Sequence, residues 1–109
     1  MISGDKEIFF DTEGYLKNSA DWTETVAQFI AETQENMLIS EAHWEIIYFI
    51  REFYEKFNTS PTVRMLVKYL EKKHGQEKGS SKYLFRLFPK GPAKQAVKIA
   101  GLPRTVRCL

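Results

Sequence analysis

Residues 40–61 read SEAHWEIIYFIREFYEKFNTSP, and their pattern decides the fold class. Ser40 stands where a helix N-cap belongs, and Glu41 places an acid in the first turn, beside the positive end of the helix dipole. Trp44, Ile47, Tyr48, Phe53, Tyr54 and Phe57 then recur at helical spacing and predict one helix over 41–57 with a broad apolar face. The run breaks at Asn58-Thr59-Ser60-Pro61. Ser60 is read as the next cap and Pro61 as the first helical position, where a missing N–H costs nothing. A helix over 61–74 follows, burying Val63, Leu66, Val67 and Leu70 and stopping before Gly75.

Upstream, Asp21 has the look of an N-cap with Glu24 three residues on as its capping-box partner. Trp22, Val26, Phe29 and Ile30 continue at helical spacing. Before that, Lys6–Lys17 reads as a hairpin. Glu7-Ile8-Phe9-Phe10 is β-prone, Asp11-Thr12-Glu13-Gly14 is a turn, and Tyr15-Leu16 resumes the apolar pattern. Downstream, the polar loop GQEKGSS (75–81) precedes a short helical run through Tyr83, Leu84, Leu87 and Phe88, stopped by Pro89 and Gly91. Pro92 opens a last helix through Ala93, Ala96, Val97 and Ala100, with Gly101 as its stop. The fold class expected is α+β: a mostly helical single domain, residues 1–101, with a small N-terminal β-hairpin or meander. Residues 102–109 form a flexible C-terminal arm.

At 109 residues and 43% hydrophobic the chain suits one domain with a modest core. No apolar run reaches the length of a membrane span, and the opening MISGDKEIFF lacks a basic region followed by an apolar stretch, so neither a membrane anchor nor a signal peptide is expected. With one cysteine there is no internal disulfide framework, and a reducing, cytoplasmic setting is expected. The net charge of +2 hides an asymmetry: residues 1–55 hold twelve acids and three bases, residues 56–109 thirteen bases and two acids. Such a split suits either two complementary halves of one fold or a basic surface for an acidic partner.

The chemistry-bearing residue is Cys108. A lone cysteine is usually a buried hydrophobe, but this one is next to last in a short arm, and an exposed thiol is a liability unless it is used. The seven residues from Gly101 to Cys108 extend about 23 Å at about 3.3 Å per residue. An arm of that reach can enter a partner's site, and Pro103 lowers the cost of ordering it. Arg104 and Arg107 favour the thiolate, the reactive form, while the terminal carboxylate opposes them. Lys82, Arg86, Lys90, Lys94 and Lys98 recur every fourth residue, which reads either as a solvated face or as a docking surface around the arm. Lys90, Arg104 and Arg107 are the docking candidates.

Helices 41–57 and 61–74 with their NTSP turn also resemble a helix-turn-helix, with Arg64, Lys68 and Lys72 on one face of the second helix. A small nucleic-acid-binding protein or a regulatory adaptor is therefore the alternative function. Glu41, Glu45, Glu52 and Glu55 make the first helix of that pair a poor match to a phosphate backbone. His43 and His74 are read as polar or capping residues, and no spacing of Cys, His and carboxylates suggests a metal. Trp22 and Trp44 are read as core packing.

Several stretches together resemble the TusE/DsrC family of sulfur carriers: Asp11-Thr12-Glu13-Gly14-Tyr15-Leu16, His43-Trp44-Glu45, and Asn58-Thr59-Ser60-Pro61 with Arg64-Met65-Leu66. The most specific are Arg86-Leu87-Phe88-Pro89-Lys90-Gly91-Pro92-Ala93-Lys94-Gln95-Ala96, Ile99-Ala100-Gly101-Leu102-Pro103, and Cys108 itself. The resemblance implies helices packed with a small β-meander. For members like DsrC the resemblance implies a second cysteine with ten residues between it and the final one; here that position is Val97. The single-cysteine pattern is that of the branch implied to relay sulfur for 2-thiouridine at the tRNA wobble position. That implies a sulfurtransferase with a cysteine persulfide on Cys108, a TusBCD-like donor complex and an MnmA-like tRNA thiouridylase as acceptor. The tRNA would be met indirectly, with no cofactor, metal or membrane involved.

Overall fold

The computed structural model describes residues 2–4 and 6–103, the side chain of Ser3 excepted. The expectations for Arg104, Arg107 and Cys108 fall on residues outside that set. Two short strands, β1 (Ile2–Ser3) and β2 (Lys6–Glu7), pair antiparallel with Ile2 opposite Glu7 and Ser3 opposite Lys6. The Asp11–Gly14 turn follows as anticipated, its flanks joined by a bridge between Phe10 and Leu16. The Asp11 carboxylate accepts from the backbone N–H groups of Glu13 and Tyr15, both at 2.9 Å, which holds the turn from inside. The β1–β2 pair lies ahead of the hairpin read from the sequence; Gly4-Asp5 between its strands is a two-residue hairpin signal that the reading passed over.

Five α-helices follow: α1 (Glu24–Gln34), α2 (Glu41–Phe57), α3 (Val63–His74), α4 (Ser81–Leu87) and α5 (Val97–Ile99), the last preceded by a π-helical stretch, Pro92–Ala96. Two starts differ from the expectation. Asp21 is not the cap of α1. It ends a 3-10 turn, Ser19–Asp21, and its carboxylate is paired with Lys6; Trp22 and Thr23 are extended, and the Thr23 hydroxyl accepts from the Val26 N–H. Nor does Ser60 cap α3. Pro61 is buried ahead of the helix, and Thr62 accepts from the Met65 N–H. In both cases a threonine two residues further on does the same job, with the extended backbone an N-cap requires.

The core gathers one stripe from each helix: Val26, Ala27, Ile30 and Ala31 of α1, Ile46, Ile47 and Ile50 of α2, Leu66 and Leu70 of α3, and Leu84 of α4, closed by Phe88. The buried face of α2 is narrower than its composition suggested. Tyr48 is 41% and Phe57 60% exposed, so the three isoleucines carry the burial. Val63 and Val67 are only partly buried, on the edge of the core. Ala96, Val97, Ile99, Ala100 and Leu102 fill the centre, the alanines letting backbones approach closely. Leu102 is 2% exposed. Leu102, the first residue after the Gly101 stop, thus packs within the core.

Candidate functional site

The last helical segment hangs between two sets of anchors. At its start, Gly91 has a φ of +112° and Pro92 opens the π-helical stretch. The Gln95 side chain, 3% exposed, accepts from the Lys90 N–H at 3.2 Å and donates to the Glu35 carboxylate at 3.0 Å. The other Glu35 oxygen takes Lys98 Nζ, also at 3.0 Å, and that ammonium lies 5.6 Å from the centre of the Tyr15 ring. Lys98 is thus drawn inward and leaves the basic stripe read from the sequence. Lys82, Arg86, Lys90 and Lys94 remain exposed. A buried amide with both ends bonded and a paired carboxylate fix this segment to the end of α1 without an unsatisfied group.

The other end is a Schellman motif. Gly101, at a φ of +74°, donates to the Lys98 carbonyl at 3.1 Å, and Leu102 donates to the Val97 carbonyl at 3.3 Å. Two carbonyls of this final turn are taken by side chains from distant parts of the chain. Trp22 Nε1 donates to the Ile99 carbonyl at 2.9 Å, and Arg51 Nη1 donates to the Ala100 carbonyl at 2.7 Å. Arg51 also reaches the Ser19 carbonyl at 3.5 Å, and its guanidinium lies 4.3 Å from the Trp22 ring centre. A cation over an indole face, at the negative end of a helix, is favoured twice. Burial pulls the Arg51 pKa down and Glu55 pulls it back up; the group stays charged. A Cβ on Gly101 would overlap the Trp22 ring.

Neither Arg51 nor Trp22 was singled out for this role in the sequence, where Trp22 looks like a helix-face residue. The available signal is that Arg51 is the sole base between Lys17 and Lys56, on a helix whose other charged residues up to that point are acids.

The histidines are structural, as read. The Ser40 N–H donates to His43 Nδ1 at 3.0 Å, so Nε2 carries the proton and donates to the Leu87 carbonyl at 2.8 Å. His43 thereby ties the start of α2 to the end of α4, its ring edge-on to Phe88 at 5.0 Å. His74 contacts the Glu45 carboxylate at 2.7 Å. Among the described residues no group of three His, Cys, Asp or Glu side chains is placed to hold a metal.

Arg64 and Lys68 line an open groove between α3 and the start of α4, together with Val63, Val67, Glu71 and Ser81. Glu71 within that groove, and exposed Glu52 and Glu55 on α2, set acids among the bases of the helix pair. That mixture does not suit a polyanion.

The family model for DsrC-like proteins matches residues 3–109. The chain belongs to the DsrC-like family. Among curated relatives of this DsrC-like chain, sulfurtransferase TusE of Photorhabdus laumondii is 62% identical over 109 residues, covering 100% of this chain and 97% of that protein. Sulfurtransferase TusE of Escherichia coli is 59% identical over the same length, covering 100% and 99%. The solution structure of Allochromatium vinosum DsrC superposes with a TM-score of 0.87 at 49% identity, covering 100% of this chain and 96% of that one. The oxidized γ-subunit of the dissimilatory sulfite reductase of Archaeoglobus fulgidus gives 0.84 at 37% identity, covering 96% and 95%. Full-length identity at this level makes the DsrC-like chain a sulfurtransferase with a role in sulfur relay. Val97, read as the position at which this chain departs from two-cysteine members, is buried in the core. No helix among the described residues is long and apolar enough to cross a membrane.

Proposed function

We propose that this DsrC-like chain carries sulfane sulfur on Cys108 and passes it to a tRNA thiouridylase for 2-thiolation of the wobble uridine. The observation that carries the reading is that a full-length relative of sulfurtransferases has one cysteine, and so one thiol able to hold the sulfur. The Cys108 thiolate attacks the outer sulfur of a donor persulfide; the donor's S–S bond breaks and its thiolate leaves. The acceptor's cysteine thiolate then attacks the outer sulfur of the Cys108 persulfide and releases Cys108 as a thiolate. Each step is a thiol–disulfide-type exchange, with no net oxidation. No cofactor takes part.

The donor in this reading is a TusBCD-like complex and the acceptor an MnmA-like enzyme, met in the cytoplasm, with the tRNA held by the acceptor. Residues 1–101 form the recognition domain and 102–109 the arm, rooted by the buried Leu102. Lys90, exposed on the turn before the last helical segment, together with Arg104 and Arg107, forms the docking charge around it. The test is reconstituted transfer from a persulfidated donor to the thiouridylase. Cys108→Ser is expected to bring transfer to the level without carrier while melting like the wild type. Transfer by the Ser variant equal to wild type overturns the reading in favour of an adaptor.

A further inference from the structure

We propose that Arg51 and Trp22 are positioning residues for the thiol arm, fixing the point and direction at which the chain leaves the core. The inference rests on the carrier reading of Cys108. Four restraints meet within the last turn before the arm, two of them from Trp22: the indole N–H on the Ile99 carbonyl, the close approach of the Trp22 ring to Gly101, the guanidinium on the Ala100 carbonyl, and burial of Leu102. The two side chains come from sites 77 and 49 residues away in sequence and stack on each other. The restraint is therefore tertiary: the Ile99 and Ala100 carbonyls, which the Schellman motif leaves open, are taken by side chains from distant elements. A Schellman motif alone already satisfies the Lys98 and Val97 carbonyls.

The consequence is one of reach. From Leu102 the thiol is six residues away, about 20 Å at full extension. If the turn from Val97 to Leu102 frays, the arm doubles to about twelve residues. The local concentration of its tip at a docked partner then falls about threefold, following the −3/2 power of length. The clamp holds the arm at its short length without adding any contact to the partner.

The test uses the full chain with nitroxides on Cys108 and on an added Lys72→Cys, an exposed position on α3. Their distance distribution is measured by pulsed electron paramagnetic resonance in Arg51→Met, which keeps the stem over Trp22, and in Trp22→Phe, which removes the indole N–H. Both are expected to broaden the distribution. Unlabelled Arg51→Met and Trp22→Phe, with Lys72 intact, are expected to lower kcat/KM for protein-to-protein transfer about threefold while charging normally with inorganic polysulfide. Should Arg51→Met fail to fold, Trp22→Phe carries the test alone. An unchanged distribution in a folded variant overturns the positioning role, whatever the transfer rate. No transfer from wild-type protein would instead overturn the carrier reading, and the distance measurement is independent of that chemistry.

Discussion

Two helices of this molecule end on a glycine of positive φ, and their surroundings are opposite. α3 ends at Gly75, φ +88°, with no atom within 4 Å of where a Cβ would stand, and Lys72, Lys73 and His74 in its last turn. α5 ends at Gly101, φ +74°, against the Trp22 ring, with its final carbonyls bonded by an indole and a guanidinium. Both ends use a glycine's positive φ; Gly101 closes a Schellman motif, whereas the Gly75 N–H donates to the Glu71 carbonyl in the ordinary helical pattern. Only one is built into the tertiary structure, and it is the one from which the thiol-bearing segment departs. A glycine stop tells where a helix ends; how firmly it ends there depends on partners remote in sequence.

Alanine at the two glycines separates the cases most sharply. Gly101→Ala meets both the left-handed backbone penalty and the Trp22 ring, and is expected to destabilise by about 3 kcal/mol. Gly75→Ala meets only the backbone penalty in an exposed loop that can relax, about 1 kcal/mol. Urea unfolding of the two variants checks the order, and equal costs would mean that the Trp22 contact contributes nothing. Smaller still is the effect expected on the open face of α3. Arg64→Glu combined with Lys68→Glu is expected to move the unfolding free energy by no more than about 0.5 kcal/mol, since both side chains are exposed. Sulfur transfer by this variant should match wild type; loss of a salt-dependent association with tRNA would return weight to the nucleic-acid reading.

The finest distinction is at Tyr69, stacked on Phe49 at 4.0 Å and facing Glu45. Burial first, then the Glu45 charge and its hydrogen bond, raise the phenol's pKa above its usual value. The folded chain thus holds a proton that the unfolded chain releases near about pH 10. Stability is untouched below that pH and falls as pH rises beyond it. Urea midpoints at about pH 9 and about pH 11 should differ less in Tyr69→Phe than in wild type.

Much of this was legible in the sequence because it is local. The span of α2, the break at Asn58, the Asp11–Gly14 turn and the stop at Gly101 each follow from periodicity or from one residue's backbone preference. His43 was read as a polar or capping residue, and it caps α2 at Ser40. What escaped was of two kinds. Capping is a competition among neighbours: Asp21 and Ser60 are good caps, but Asp21 is paired with Lys6 and Ser60 precedes a buried proline, leaving Thr23 and Thr62 to serve. The arm's root was invisible for another reason. No pattern connects Arg51 to Ala100 or Trp22 to Ile99, because each contact exists only once five helices have packed. Lys98 is a similar case, matching the spacing of an exposed stripe yet paired with Glu35. Cys108 was legible as a thiol without an internal cysteine partner, since the chain holds only one.

The most direct measurement is intact-mass spectrometry of the reduced protein after incubation with a persulfide-loaded donor protein. The carrier account predicts one added sulfur atom, removed by dithiothreitol and absent in Cys108→Ser. An unchanged mass with every donor that charges a known sulfur carrier, or an adduct that survives Cys108→Ser, would contradict it.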